Sequence, residues 1–267
     1  MRQSFHIYSR PREWDAAIRR ELASWWYMAL FGASALVIAL SPSAHSRANL
    51  VAMARHIYTS TWRVLPWFTM ASALFSLVLI RIVLVTALSY GLSQYALEMM
   101  VRVLVLELIP LSAAMFVALR AAFVFNAGAA VSAIKTGRPD EPVDFRDGVV
   151  PEVIASAFSV LSLAMVSSAI VLVLAYLNVY GLSPWGLMDY TRTVGRIFDP
   201  VVTTGFALKT IFFGLAVAVV PMAAMLELSR KDGVTRSAAP TTVQPGAMRL
   251  FFILLLIEAG SLAVKYI

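Results

Sequence analysis

Five long apolar runs decide what this chain can fold into. A helix needs about 20 apolar residues to cross the hydrocarbon core of a bilayer, and each run reaches or approaches that length. The runs are residues 65–90, 99–134, 149–177, 201–226 and 247–264. The chain is 60% hydrophobic and 14% charged, which exceeds the apolar content that a soluble core can bury. The sequence therefore predicts an all-α integral membrane protein with about five transmembrane helices.

An earlier apolar stretch, residues 24–40, permits three interpretations. A transmembrane helix there would put strongly basic segments on both sides of the membrane, and a signal peptide would need a better cleavage site than the Pro42 region offers. We favour an amphipathic helix that starts near Pro11 and leads into an interfacial or re-entrant elbow. This interpretation divides the chain into a cytoplasmic N-terminal region, residues 1–63, and a five-helix transmembrane domain, residues 64–267.

The distribution of Lys and Arg predicts the orientation in the membrane. Cytoplasmic segments of membrane proteins carry an excess of these residues. In the favoured arrangement, fifteen of them lie in cytoplasmic segments and four lie on the opposite side. We therefore expect a cytoplasmic N terminus, an external C terminus, cytoplasmic loops at 135–148 and 227–246, and an external loop at 178–199.

The sequence lacks the patterns of several kinds of chemistry. It contains no cysteine, and its three histidines, His6, His45 and His56, do not have metal-ligand spacing. It has no phosphate-binding loop, nucleophile elbow or zinc-protease motif. The net charge of +7 follows from the basic loops, so it does not indicate a nucleic-acid partner. We expect no enzyme activity and no cofactor or metal in this chain; any ATP would be hydrolysed by a separate subunit.

Ionisable residues inside the apolar runs are the candidate functional residues. They are Arg81, Glu107, Arg120, Lys209 and Glu258. A charged side chain at the centre of a membrane helix costs about 2.5–3.5 kcal/mol, so each needs a partner, a wet cavity or an interface. Pairing between helices and snorkelling towards a helix end are the structural alternatives to a functional role.

Three prolines and one aspartate predict local features of the second and fourth helices. Pro110 closely follows Glu107 and removes a backbone donor, which predicts a kinked helix with a buried acid beside a cavity. Asp199 and Pro200 precede the fourth run, where we expect Asp199 to cap the helix. Pro221 predicts a second kink in the same helix.

Four short motifs, in order, resemble the MlaE (YrbE-like) family of ABC transporter permeases over residues 24–267. Residues 106–110, Leu-Glu-Leu-Ile-Pro, look like the Arg-Glu-Leu-Gly-Pro of that family. Residues 119–122, Leu-Arg-Ala-Ala, are similar to its Gly-Arg-Ala-Gly, and residues 208–214 are similar to its Lys-Ser-x-x-Phe segment. Glu258 falls where the family carries an acidic residue in the last span.

The resemblance implies a function and a set of partners. It implies a multi-pass protein of the bacterial inner membrane, a homodimer that encloses a lipid cavity, with a cytoplasmic ABC ATPase and a periplasmic MCE-domain protein. The cargo would be phospholipid, moved between the inner and outer membranes. The implied lipid-binding residues are Glu107, Lys209, Arg120 and Glu258, with Lys209 attracting a lipid phosphate and Glu107 shaping the mouth of the cavity.

The chain departs from the family pattern in two places. Leu106 stands where the family has an Arg, and Gly128 stands near the position of a family Glu. The following segment, residues 135–142, contains two prolines that oppose a regular coupling helix. Three explanations stay open: a divergent ATPase partner, coupling through residues 144–147, or loss of coupling.

Two other functions are compatible with the residues. Isolated carboxylates within a membrane, here Glu107 and Glu258, are the groups that proton-coupled secondary transporters use. The five runs show no obvious inverted repeat of the kind that many such transporters contain. A membrane scaffold without transport activity is the remaining alternative.

Overall fold

The structure is a computed structural model that describes residues 57–121, 150–232 and 246–266, together with eight positions between residues 19 and 54. Its described ranges are helical and contain no strand. Five helices are long and apolar enough to cross a membrane: Leu65–Ser89, Tyr95–Ala121, Ile154–Tyr180, Pro200–Ala224 and Ala247–Lys265. The all-α fold and the five predicted spans are confirmed.

The helices are numbered here in chain order. They are α1 (Leu65–Ser89), α2 (residues 93–121), α3 (Val150–Tyr180), α4 (Leu187–Ile197), α5 (Pro200–Asp232) and α6 (Ala247–Tyr266). A short π-helical turn, Tyr58–Trp62, precedes α1, and a 3-10 turn, Pro184–Gly186, precedes α4. The α3 helix packs against both α1 and α5, and α5 packs against α6.

The second helix changes its hydrogen-bond register along its length. It is α-helical over Ser93–Met100, π-helical over Val101–Leu108 and α-helical again from residue 109. The Ile109 N–H donates to the Leu104 carbonyl, five residues back, as a π-helix requires. An irregular, π-helical segment thus lies immediately before Pro110, and the predicted kink stays a prediction. The helix also begins earlier than the predicted residue 99.

The buried core forms two layers along the bundle. One layer surrounds the π-helical part of α2 and includes Ile80, Leu104, Val171 and Phe206. The other includes Phe68, Val117, Leu163, Phe213 and Leu250. We call the end of the bundle that carries α4 the α4 end. At this end α1, α3 and α6 finish and α2 and α5 begin.

Part of the predicted 178–199 loop is the helix α4, which the sequence analysis did not anticipate. Its Leu187, Tyr190, Val194 and Ile197 follow the spacing of an amphipathic helix, and this spacing was the available signal. The Tyr190 hydroxyl donates to the Leu172 carbonyl at 2.7 Å, which ties α4 to α3. Burial raises the pKa of Tyr190 to about 12, so the phenol remains a donor at neutral pH.

The predicted loop boundaries agree with the structure only in part. The α5 helix continues through Pro221 to Asp232, so the first residues of the predicted 227–246 loop are helical rather than loop. The loop at 135–148 lies outside the described residues. So does most of the N-terminal region.

Two described contacts come from the predicted elbow. The Trp25 ring packs edge-on against Phe252 of α6, with ring centroids 6.0 Å apart. Gly32 lies against Val219 of α5, where an added Cβ would be 3.0 Å from Val219 Cγ1. Both partners belong to the halves of α5 and α6 remote from the α4 end. The elbow itself stays a prediction.

Candidate functional site

Four charged side chains from three helices meet inside the bundle. Lys209 of α5 forms ion pairs with Glu107 of α2 and with Glu258 of α6, the latter at 2.7 Å between Nζ and Oε2. Lys265 of α6 lies 2.9 Å from the other Glu107 oxygen, Oε1. We call these four residues the charge cluster. Along the cluster acidic and basic groups alternate, so its formal charges cancel.

Lys209 is enclosed by oxygen atoms. Its side chain is 2% exposed, and its ammonium contacts Glu107 Oε2, Glu258 Oε2 and, at 3.3 Å, the Leu106 carbonyl. An ammonium has three N–H donors, which matches these three oxygens. The Glu258 contact is a close ion pair, at 2.7 Å. The centroid of the Phe213 ring lies 5.7 Å from Lys209 Nζ.

The sequence of α2 explains why the Leu106 carbonyl is available to Lys209. In an α-helix this carbonyl would accept from the N–H of residue 110, four positions on. Residue 110 is proline, which has no N–H. Lys209 Nζ therefore donates to an oxygen that has lost its α-helical donor. Because Pro110 lacks an N–H, the backbone of α2 can accept a hydrogen bond from the charge cluster.

Glu107, Lys209 and Glu258 lie near the middle of their candidate spans, whereas Lys265 is the last residue of its span. Glu107 and Lys209 separate the two core layers: Leu106 and Phe206 belong to one layer, and Ala113 and Phe213 belong to the other. A charge without a partner at such depth is expensive, whereas a charge that pairs with its neighbours is tolerated. The pairing explains how the apolar bundle holds these four side chains.

A cavity of about 590 Å³ opens beside the cluster at the α4 end. Its lining combines four charged side chains, Glu107, Asp199, Lys209 and Lys265, with Ser261 and a wall that is otherwise apolar. The remaining lining residues are Leu106, Val201, Val202, Gly205, Phe206, Leu208, Phe212, Ile257, Gly260 and Val264. The volume falls within the range of about 300–1,000 Å³ that is common for small-molecule sites. The cavity can hold a ligand that has both polar and apolar parts.

The mouth of the cavity differs from its inner wall. Val201 and Val264 are 79% and 84% exposed, so they mark the open side. Lys265 and Asp199 line the cavity close to these two residues in sequence, whereas Lys209 is deeply buried. Asp199 also caps α5 as predicted, because its Oδ1 accepts from the Val202 N–H at 2.7 Å.

The structure brings three of the four predicted site residues together. Glu107, Lys209 and Glu258 meet in the cluster. Arg120 does not join them: it lies at the opposite end of α2, about 20 Å from Glu107 along the helix axis. Arg81 is exposed on α1 and is also not a member of the cluster.

Sequence reasoning missed Lys265, which it counted among the external charges. Lys265 follows Glu258 by seven residues, and this spacing places two side chains on the same face of a helix. That spacing was the signal that could have found it. The Leu106 carbonyl was also missed, although the proline four residues later indicated an oxygen without its α-helical donor.

The fold and the site together define a class of protein. An all-helical protein with five candidate spans, a buried charge cluster and a cavity beside it has the features of a membrane permease. The family model for permease MlaE matches residues 53–136 and 142–259 of this chain. The chain belongs to the MlaE permease family. No curated protein and no solved structure matches it.

Membership of this family has direct consequences. It makes the chain a multi-pass membrane protein and the permease subunit of an ABC transporter, a family whose cargo class is lipid. The matched residues include Glu107, Lys209 and Glu258. Lys265 lies beyond the matched range, so its place in the cluster is seen only in the structure.

Proposed function

We propose that this chain is the permease subunit of an ABC transporter that moves phospholipid between the inner and outer membranes of a bacterium. The observation that carries the proposal is the cavity beside the charge cluster, because it combines charged groups with an apolar wall. A phospholipid presents the same combination of a charged head group and apolar chains. Membership of the MlaE family supports the same cargo class.

The proposed assembly contains three kinds of protein. Two copies of this chain form the permease and together enclose the lipid cavity. A pair of cytoplasmic ABC ATPases supplies the energy, and a periplasmic MCE-domain protein passes phospholipid onwards. In this proposal the chain binds no cofactor and performs no chemistry of its own.

The geometry favours different roles for the two lysines. Lys209 is surrounded by three oxygens of the protein, and its removal from them would leave two buried carboxylates without their shared cation. Lys265 borders the cavity beside the exposed Val264, and its ammonium forms an ion pair with Glu107 Oε1. We therefore assign the lipid phosphate to Lys265, and we assign to Lys209 the task of holding α2, α5 and α6 together.

The site is less suited to proton-coupled transport. A carboxylate that carries a proton must exchange between charged and neutral forms during the cycle. Here both Glu107 and Glu258 form ion pairs with the Lys209 ammonium, so neither is the isolated carboxylate on which that alternative depends. The ion pairs therefore favour an ATP-driven lipid permease over the proton carrier.

The first test of the proposal is recovery of the assembly. The tagged full-length chain would be purified in mild detergent, and mass spectrometry would identify the proteins and lipids that co-purify. We expect an ABC ATPase, an MCE-domain protein and phospholipid. A chain recovered without lipid and without an ATPase would contradict the proposal.

The second test concerns the residues. Glu107→Lys and Lys265→Glu each reverse one charge at the cavity, so we expect increased detergent sensitivity of the outer membrane. Arg192→Glu is the matched control, because Arg192 is exposed on α4 and does not line the cavity. Immunoblots of membrane fractions would check that each variant is inserted. Wild-type resistance in both cavity variants would contradict the assigned roles.

A further inference from the structure

Arg81 is a charged residue that neither the charge cluster nor the cavity uses. It lies on α1, eight residues before the helix ends at Ser89, which is about 12 Å along the helix axis. The residue is exposed, and in the part of the chain that the structure describes it forms no ion pair and no hydrogen bond. A charge that faces lipid inside a membrane helix is costly and normally has a partner. Such a partner for Arg81 is not found among the described residues.

The apolar residues around Arg81 form an exposed stripe along α1. They lie three, four or seven residues from Arg81, which places them on the same face of the helix. Each is at least 42% exposed, so the packing of the bundle does not use this face. The five residues are Leu74, Leu77, Val78, Val85 and Leu88. We call these five residues, together with Arg81, the α1 seam.

The α1 seam has the pattern of a helix–helix contact. Apolar side chains at this spacing interdigitate with those of a second helix, and a single polar residue among them specifies the partner. Hydrogen bonds between helices contribute to association within membranes. Lipid chains would cover the apolar residues, but they carry no acceptor for the guanidinium, which would have to reach towards the head groups. The combination of stripe and charge therefore favours a helix as the occupant.

The carboxylates of this chain do not supply the partner. The acidic residues within the candidate spans are Glu98, Glu107 and Glu258. Glu107 and Glu258 pair with Lys209, and Glu98 forms an ion pair within α2. A second copy of the chain would therefore bring to Arg81 either an apolar surface or a carboxylate that is already paired. This observation points to a different chain.

We propose that the α1 seam binds a transmembrane helix of a second protein, and that Arg81 forms an ion pair with an aspartate or glutamate in the apolar run of that helix. A guanidinium presents two parallel donors that match a carboxylate, so the pair would set the height at which the two helices meet. The inference adds a subunit contact to the proposed assembly and does not depend on the identity of the cargo.

The first test is photo-cross-linking of the full-length chain in native membranes. The photoreactive residue p-benzoylphenylalanine would replace Leu74 of the seam, and mass spectrometry would identify the cross-linked peptide. We expect a transmembrane segment of another protein with an aspartate or glutamate in its apolar run. Phe75 is the matched control position, because it is also exposed but lies about 100° further around the helix. The same replacement at Phe75 should not capture this segment.

Charge variants then test the role of Arg81 itself. Arg81→Leu, combined with the photoreactive residue at position 74, should lower the yield of the cross-linked product by about tenfold, because an ion pair in apolar surroundings is lost. Arg81→Glu should abolish the product, and replacement of the captured acid by arginine should restore it. Immunoblots of membrane fractions would check that each variant is inserted.

Three results would overturn the inference. They are a cross-link from position 74 to a second copy of this chain or to lipid alone, a captured segment without an acidic residue, and an unchanged yield in Arg81→Leu. Each would leave the lipid-permease proposal standing, because the seam belongs to α1 whereas the charge cluster belongs to α2, α5 and α6. That proposal depends on the lipids and the ATPase that co-purify, so the two can fail independently.

Discussion

The ammonium of Lys209 connects helices that are distant in sequence. It contacts a side chain and a carbonyl of α2 and a carboxylate of α6, while its own backbone belongs to α5. Each of these contacts compensates part of the cost of a buried charge. At the scale of the single residue, Lys209 is therefore a costly buried charge whose contacts join three helices.

Removal of this ammonium should destabilise the protein. In Lys209→Met, Glu107 keeps its contact with Lys265, but Glu258 loses its only ion-pair partner within the described ranges. Loss of one partner of a buried pair costs about 3–5 kcal/mol. We expect a clearly lower melting temperature in detergent, measured by size-exclusion chromatography after heating.

A second substitution tests the cause of that loss. Lys209→Met combined with Glu258→Gln removes the unpaired carboxylate, so part of the lost stability should return. Arg192→Met, at an exposed position of α4, serves as the control for removal of a surface cation. A single Lys209→Met variant that melts like the wild type would show that the ion pairs contribute little.

At the scale of the helix, α2 combines two unusual features at one place. Its π-helical segment, Val101–Leu108, ends immediately before Ile109 and Pro110. The proline removes the donor that would complete an α-helical turn, and the wider π-helical turn lies where that donor is missing. Glu107 is in the last turn of this segment, so the direction of its side chain depends on whether the hydrogen bonds there are π-helical or α-helical.

Restoring the missing donor should therefore affect the site more than the fold. Pro110→Ala supplies an N–H to the Leu106 carbonyl, in competition with Lys209. Return to an α-helical register would rotate side chains about the helix axis by up to about 100°, the rotation of one residue. This rotation would turn the Glu107 carboxylate away from Lys209. We expect unchanged or higher thermal stability and reduced phospholipid retention by the purified protein.

Pro221→Ala is the matched control for Pro110→Ala. Pro221 also lies inside a helix, but it does not line the cavity among the described residues. Its replacement should leave phospholipid retention unchanged. Normal retention in Pro110→Ala would mean that the register of α2 does not set the geometry of the cluster.

A second helix-scale feature is the close approach of α3 and α5 at Gly214. A Cβ at this position would lie 3.0 Å from the Ala157 carbonyl oxygen and 3.1 Å from its Cα. Both atoms belong to the backbone of α3, so a side chain cannot move them aside locally. The glycine therefore allows two helices of the bundle to meet at their backbones.

Gly214→Ala should push these helices apart. Overpacking of this kind costs about 1–3 kcal/mol, which outweighs the gain in helix propensity. Gly205→Ala in the same helix is the control, because no described atom beyond the neighbouring backbone of α5 lies within 4 Å of its added Cβ. We expect a lower melting temperature for Gly214→Ala only. Equal melting of the two variants would contradict the close backbone contact.

At the scale of the whole molecule, the α4 end carries the cavity and the opposite end carries the described elbow contacts. The count of Lys and Arg predicts that the α4 end faces the periplasm. In this orientation the cavity opens towards the compartment where the proposed MCE-domain partner would receive lipid. Orientation and proposed function are thus consistent with each other.

The orientation can be tested cleanly because the chain has no cysteine. A single cysteine at Ser183, in the turn before α4, should react in intact cells with a maleimide that passes the outer membrane but not the inner membrane. A single cysteine at Ser237, in the predicted 227–246 cytoplasmic loop, should react only after lysis. The reverse pattern would invert the orientation.

Much of this protein follows from its sequence alone. The apolar runs determined the number and place of the five spans, because a membrane helix must present apolar side chains over a fixed length. The cap at Asp199 also followed from local sequence, since it concerns backbone donors close in the chain. So did the choice of Glu107, Lys209 and Glu258 as candidates, because a charge in an apolar run needs an explanation wherever it lies.

Only the tertiary structure decided which charges meet. The rotation and relative stagger of α2, α5 and α6 bring Lys265 to Glu107 and leave Arg120 at the other end of the bundle, and no single helix contains that information. The same packing encloses Lys209 in oxygens and leaves Asp199 and Lys265 on the cavity wall. The physical reason is that composition determines what a helix must bury, whereas the partner of a buried charge depends on how close and at what height the neighbouring helices pack.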